Sequence, residues 1–358
     1  MGGSRESKGF HSNAHAPAQY HPAMHRIIAT CLVALAPGCA AAQEPVAADP
    51  MAPFARLVGG EWQVTFTSGA RGLHAWEWGP GRHSMGRMAS KSDTIDNPWA
   101  GEVMYWHPGR KRVCVLSLHG DIPGIGRGVS EGTIRFEGET QVDVVDLYQP
   151  GAHRKLAQRR TFDGPDKYHE ILLEATGSQG YQPLAEWDFV RVEGPPAARP
   201  HAAEEEAAPE PSEHLKMFEA LLGCSWEAKA GDNLRIQSTY EWIPSLEVVC
   251  ARVDAPSRDG DPTHLLDAYF YQHIGTGALR CLALTNRGGV YEGEVSVIEG
   301  GALQFDLKGY EDDQVVPRVV RLDFEEDGTV RERVWSIEGS ERKLILDVHQ
   351  NRIPTPRR

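Results

Sequence analysis

The chain contains itself twice, and that constrains its fold more than any other feature. Phe54-Ala55-Arg56-Leu57-Val58-Gly59-Gly60-Glu61-Trp62 aligns with Phe218-Glu219-Ala220-Leu221-Leu222-Gly223-Cys224-Ser225-Trp226, 164 residues further on. The same offset of 164 pairs Glu77-Trp78 with Glu241-Trp242 and Pro80 with Pro244. It drifts to 166 for Tyr105-Trp106-His107 against Tyr271-Gln272-His273, and to 161 for Gly128–Gly132 against Gly289–Gly293. Asp163-Gly164 and Asp327-Gly328 then restore 164. Matches that stay in order while the offset wanders mark a duplicated domain with loop insertions. The two units span 50–193 and 214–353. Between them, 194–213 carries Pro195, Pro196, Pro200, Pro209 and Pro211 around Glu204-Glu205-Glu206, the composition of a semi-stiff solvated linker.

Within each unit the hydrophobic period is two. Trp62, Val64 and Phe66 alternate with polar residues, as do Leu303, Phe305 and Leu307, and Val320, Leu322 and Phe324. Turn signals such as Pro108-Gly109, Asp163-Gly164, Asp259-Gly260 and Gly300-Gly301 separate the runs. Only the approach to each first strand has helical spacing: Leu215, Phe218, Leu221 and Leu222 behind Ser212, echoed by Phe54, Leu57 and Val58. The pattern predicts an all-β fold of two antiparallel meander barrels, each led by a short helix. Closure removes the sheet edges that an open sheet would expose. A β-sandwich is the alternative architecture.

A net charge of −13 argues against nucleic acid as a partner, which needs clustered cations. Met24-His25-Arg26, the apolar run Ile27–Ala36 and Ala40-Ala41-Ala42 have the order of a secretory signal, with cleavage near Ala42. The run is too short to span a bilayer, so no transmembrane helix is expected. Residues 1–42 are therefore assigned as leader and signal peptide, with 1–23 an upstream extension, and the expected location is periplasmic or secreted. Cys39, in Ala36-Pro37-Gly38-Cys39, offers a lipid anchor as the alternative. Cys114, Cys224, Cys250 and Cys281 form no CxxC pair and read as buried or semi-buried thiols.

The leading helical turn, Gly60-Glu61-Trp62 at the first strand and the meander of short strands resemble the lipocalin-like (calycin) barrels, in particular the bacterial lipocalin-like domains of unknown function. The second unit departs from Gly-x-Trp, with Cys224 in the glycine's place and Gly223 one residue earlier. The resemblance implies a barrel able to hold a small molecule. A haem-binding relative of these barrels, the nitrobindin type, uses a late histidine as iron ligand, and His349 is the conceivable counterpart; that family's glycine-rich opening is missing here.

Gly124-Ile125-Gly126-Arg127-Gly128 has the look of a nucleotide loop, but a strand-like segment follows it where a helix is required, so it reads as a hairpin. In each Tyr-x-His pair, Tyr105/His107 and Tyr271/His273, both side chains share one strand face. Facing a barrel interior, they would anchor a ligand carbonyl or acid; beside the following turn, they would be ordinary hairpin chemistry. Trp78 and Trp242 recur at the second strand, as core filling or as ligand-stacking rings. These six residues are the candidate ligand contacts. No catalytic triad, paired-carboxylate motif or metal-ligand spacing emerges. The expected function is binding of a small apolar or amphipathic molecule. The alternatives are a protein-interaction module, or a cofactor-free enzyme on a small organic substrate with the Tyr-x-His pairs as acid and base.

Overall fold

Alternating apolar residues build strands with one buried face, and in this chain twenty such strands close into two barrels. The computed structural model describes residues 49–354 except 67–68, 70, 91–97, 123–124, 178–179, 193–210, 231–233 and 258–260. The signal segment, Cys39 and nearly all of the linker lie outside the described residues.

The first barrel runs through β1 (Glu61–Thr65), β2 (Arg71–Trp78), β3 (Ser84–Ser90), β4 (Ala100–His107) and β5 (Arg112–His119). It continues with β6 (Gly128–Glu137), β7 (Thr140–Gln149), β8 (Ala152–Phe162), β9 (Lys167–Ala175) and β10 (Tyr181–Val192). The second repeats this with β11 (Ser225–Ala230), β12 (Leu234–Ile243), β13 (Val248–Ala255), β14 (Thr263–Gln272) and β15 (Leu279–Thr285). It ends with β16 (Val290–Val297), β17 (Leu303–Glu311), β18 (Gln314–Phe324), β19 (Val330–Glu338) and β20 (Glu341–Ile353). Each is an antiparallel meander whose last strand pairs with its first, Glu61 opposite Val192 and Ser225 opposite Ile353. The described residues are thus all-β, in two closed ten-stranded barrels.

The leading turns are 3-10 helices, Ala52–Leu57 and Lys216–Leu221, which bury Phe54, Leu57, Phe218 and Leu221. Each repeated tryptophan ties its turn down. Trp62 Nε1 donates to Leu57 O at 2.8 Å and Trp226 Nε1 to Leu221 O at 3.1 Å, so the buried indole N–H has the acceptor it needs. This explains why the tryptophan follows the turn in both copies.

The two barrels face each other through the outer faces of β4–β6 and β14–β16. Val103, Cys114, Leu116 and Leu118 pack there against Leu246, Val248, Leu282 and Leu284. The contacts are reciprocal, as in an isologous dimer. His107 lies against Tyr310 (4.4 Å between ring centroids) and His273 against Tyr148 (4.6 Å). Arg110 donates to both oxygens of Glu292, at 2.8 and 3.1 Å, while Tyr271 Oη donates to Glu131 at 2.7 Å. His107 Nε2 approaches Glu292 at 3.7 Å and His273 Nε2 approaches Glu131 at 3.9 Å. In both histidines a turn N–H, of Arg110 or Thr276, donates to Nδ1, which leaves Nε2–H to face the carboxylate. Pro80–Arg82 presses on the second barrel, where a Cβ on Gly81 would sit 2.0 Å from Asn286 O. Its counterpart Pro244–Leu246 presses on the first barrel at Gly120.

Burial alone would raise the Glu292 carboxyl, but His107 and Arg110 together hold it below its ordinary value. Glu292→Ala is expected to lower the unfolding free energy by about 1–3 kcal/mol, the cost of stranding hydrogen-bonding groups in a buried interface. Gly81→Ala should weaken the same interface sterically. Urea denaturation checks both; unchanged midpoints would remove this clasp from the interactions that hold the barrels together.

Candidate functional site

Barrel interiors are normally filled by apolar side chains, and the second barrel follows that rule. Along its inward positions stand Ala251, Ala268, Ala283, Phe305, Val320 and Leu322, all in one apolar core. The first barrel places charge at the corresponding positions. Cross-strand register sets the correspondence: Arg87 opposes Glu102 and Glu102 opposes Ser117, as Ala251 opposes Ala268 and Ala268 opposes Ala283. Likewise Asp143 opposes Gln158 where Phe305 opposes Val320, and Arg160 opposes Glu170 where Leu322 opposes Glu332.

The result is an ionic cluster inside the first barrel. Arg87 Nη2 donates to Glu102 Oε2 at 3.0 Å, and Arg160 donates through Nε and Nη2 to Glu170 Oε2 at 3.1 and 2.9 Å. The pairs are cross-linked, Arg87 Nη1 lying 3.9 Å from Glu170 and Arg160 Nη2 3.9 Å from Glu102. Ser117 Oγ donates to Glu102 at 3.3 Å, and Gln141 Nε2 donates to Asp143 Oδ1 at 2.8 Å. Both guanidinium carbons stand 5.2 Å from the Trp76 ring centroid, a cation–π contact that holds them in plane. All four ion-pair members are buried, Arg160 to 1% exposure and Glu102 to 3%.

Above this floor lies a cavity of about 70 Å³ for the centres of water-sized molecules. That is roughly five times the space one ordered water requires. His74, Arg87, Glu102, Asp143, Gln158 and Glu170 form its polar part. Its apolar part is made by Phe66, Trp99, Ile122, Ile125, Leu172 and Trp187. Ile122 and Ile125 come from the glycine-rich connection between β5 and β6, which in the second barrel is a four-residue turn, Asn286–Gly289. The longer hairpin of the first copy therefore supplies cavity wall, and Gln149 Nε2 anchors it by donating to Ile125 O.

Several of the lining groups lack partners. Arg87 Nε, Glu102 Oε1, His119 Nδ1 and Gln158 Nε2 are buried without a hydrogen bond among the described residues. Buried polar atoms are normally satisfied, and clusters of unsatisfied ones occur at functional sites. Burial, with Arg87 and Arg160 behind it, holds the His74 imidazole well below its ordinary value. Burial and then Arg87 push His119 down to about 4. Both rings are neutral at pH 7. Asp143 moves the other way, up to about 7, through burial and then the neighbouring Glu102 and Glu170 carboxylates, against the pull of Arg160 and Gln141.

His119 Nε2 and Ser130 Oγ share a hydrogen bond of 2.8 Å beside the cavity. Such a pair could activate a nucleophile, but no acid orients His119 Nδ1, and a base titrating near 4 accepts a proton poorly at neutral pH.

The six residues expected to contact ligand lie elsewhere. Trp78 packs half-buried at the edge of the first barrel's core, with Arg82 over its ring at 4.9 Å, and Trp242 packs half-buried against the second core. Tyr105, His107, Tyr271 and His273 are brought together, but on the outer faces that join the barrels. Tyr105 and Tyr271 border a small chamber of about 40 Å³ there with Arg110, Glu131, Arg280 and Glu292. His349 stands exposed on the outer side of β20, and that barrel's interior is packed, so the residues present do not fit a haem there. Cys114, Cys224, Cys250 and Cys281 are free thiols, three buried and Cys250 half-buried. No group of histidines, cysteines and carboxylates suited to a metal occurs among the described residues.

Sequence reasoning passed over His74, Arg87, Glu102, Asp143, Arg160 and Glu170. The signal that could have found them is the duplication itself: inward-parity charges in one copy that the other replaces with Ala251, Ala268, Phe305 and Leu322.

No known family profile matches the chain, and no curated protein matches it. Among solved structures it is similar to a DUF3598-family protein of unknown function from Nostoc punctiforme, at 10% identity and a TM-score of 0.20, over 85% of this chain and 99% of that one.

The sibling barrel makes the cluster's energetics testable. Arg87→Ala alone strips the buried Glu102 of its close ion pair, leaving Ser117 at 3.3 Å and Arg160 at 3.9 Å, and should cost about 3–5 kcal/mol. The Arg87→Ala/Glu102→Ala double variant reproduces the second barrel's pair, and should cost less than the two single variants combined by about 1–3 kcal/mol. Additive losses in urea titrations would dissolve the cluster as an energetic unit.

Asp143 also gives a pH signature. Its folded value near 7 lies above the ordinary carboxyl value of 3.8, so the protonated group favours the fold. That stability is complete at low pH and is lost as pH rises through about 4 to 7. His74 and His119, held low, act oppositely and lose stability as pH falls below 6.5. The readout is therefore a difference: Asp143→Asn should gain thermal stability relative to the parent between pH 5 and 8, and a pH-independent difference would refute the assignment.

Proposed function

We propose that this protein is an exported small-molecule binder of the lipocalin-like kind in which the first barrel holds the ligand and the second is a solid brace. The observation that carries this reading is the buried ionic cluster, open to a cavity, whose Arg87, Glu102, Asp143 and Arg160 give way in the sibling barrel to Ala251, Ala268, Phe305 and Leu322, Glu332 alone keeping the charge of Glu170. The duplicated fold does not require charge at those four positions. Replacing a buried ion network by apolar residues is often neutral or stabilising, so its retention in one copy favours a role beyond folding. The cavity supports an amphipathic ligand. A polar head would lie at the open Glu102 Oε1, and an apolar portion would lie between Phe66, Trp99 and Trp187. The volume limits the enclosed portion to a few heavy atoms. The signal-like segment ending at Ala42 supports export.

The test is native mass spectrometry of the processed chain recovered from the cell envelope, compared with Ala89→Phe, which places a ring where Ala89 lines the cavity. A small-molecule adduct on the parent and its loss from the variant are expected. Identical spectra with no adduct on either protein would overturn the reading, and processing at a site other than near Ala42 would overturn the export assignment.

A further inference from the structure

The charges that meet inside the first barrel do not balance, and the imbalance identifies the kind of head group that completes them. Three carboxylates belong to the cluster, Glu102 from β4, Asp143 from β7 and Glu170 from β9, each 3% exposed or less. Two guanidinium groups answer them, Arg87 from β3 and Arg160 from β8. The remaining titratable groups facing the space are His74 from β2 and His119 from β5, both neutral. Each arginine is already committed: Arg87 to Glu102 at 3.0 Å, and Arg160 to Glu170 at 2.9 Å. Among the described residues Asp143 accepts a hydrogen bond from the Gln141 amide alone, at 2.8 Å, and it borders the cavity directly. Glu102 adds a second acceptor, since its Oε1 is buried at the cavity wall with no hydrogen bond.

We propose that the ligand's head group is a cation, an ammonium carried on a small apolar body, and that Asp143 is its counter-ion with Glu102 Oε1 as a second acceptor. This rests on the first barrel's being the binding site. With Asp143 ionised, an ammonium brings the buried charge to zero, while a carboxylate would add an unpaired negative charge in a medium where each such charge is costly to bury. An ammonium also offers three donors, which Glu102 Oε1 and Asp143 can accept, while the open donors Arg87 Nε and Gln158 Nε2 fall to water in the cavity. The neighbouring walls, Trp99, Trp187 and Phe66, suit the apolar body and present ring faces to a cation. Below about pH 7 the empty site holds a proton on Asp143, and the ammonium replaces that proton.

The experiment uses the full processed chain and three probes of one shape, n-butylamine, n-butanol and butyrate, titrated calorimetrically at pH 8. The amine should bind at least tenfold more tightly than the alcohol, and butyrate more weakly than the alcohol. Amine affinity should rise up to tenfold per pH unit below about 7 and level off above it, because Asp143 must release its proton, whereas alcohol affinity should not. Asp143→Asn should erase the difference between amine and alcohol. Should that variant not fold, the pH profile of the parent decides alone: a flat profile overturns the proposal. Butyrate binding best, or amine and alcohol binding equally, overturns the cation while the binding barrel stands. If none of the three binds, both the cation and the binding barrel fall.

Discussion

The reciprocal packing of the two barrels is the constraint on which the rest of this structure depends. It covers outer surface of β4–β6 and β14–β16, and the middle strands β5 and β15 are buried on both sides, with Val113–Leu118 and Cys281–Thr285 continuously covered. An isolated barrel would leave that face, from Val103 to Leu118, as a contiguous apolar patch in water. Pairing two copies removes the patch and lets each brace the other. Because the contacts are isologous, the histidine devices are used twice: His107 with Glu292 and His273 with Glu131, Tyr310 on His107 and Tyr148 on His273.

With the outer faces so constrained, the interiors are free to differ. The second barrel has Phe305, Val320 and Leu322 where the first has Asp143, Gln158 and Arg160. Burying a large apolar side chain contributes roughly 1.5–3 kcal/mol. The second interior therefore carries stability that the first forgoes at these sites. An ion cluster of this kind at best breaks even against such filling. Fused to a stable sibling, the first barrel can keep an energetically indifferent interior and a cavity.

Much of this was legible in the sequence, for a simple reason. Strand periodicity, turn residues and the collinear repeat are local signals, and they identify two meander barrels, the leading turns and the divergence of the copies. The faces were not legible. Tyr105 and His107 do share a face, as their spacing requires, but alternation distinguishes inside from outside only when one side meets water. In β4, burial is nearly continuous from Ala100 to His107, so parity alone could not say that Tyr105 points to the other barrel and Glu102 to the interior. The unbroken run Val113-Cys114-Val115-Leu116 was the available sign of a strand covered on both sides. The ionic cluster was hidden differently. Its members come from β3, β4, β7, β8 and β9, spread along the first unit, and each taken alone looks like an ordinary surface charge on an alternating strand.

The same geometry explains why the charge imbalance persists in the folded chain. Asp143 could be relieved if Arg160 swung toward it, but that guanidinium donates twice to Glu170 and faces the Trp76 and Tyr168 rings. Arg87 is held likewise by Glu102 and His74. Trp62 and the leading turn lie beneath these side chains, and Tyr168 stacks on Phe189 at 4.3 Å, so the floor has no slack in which to repack. Rotation of a strand is barred by closure, since every strand is paired on both edges. Relief must then come from the cavity side, where Asp143 borders space that the described residues do not fill.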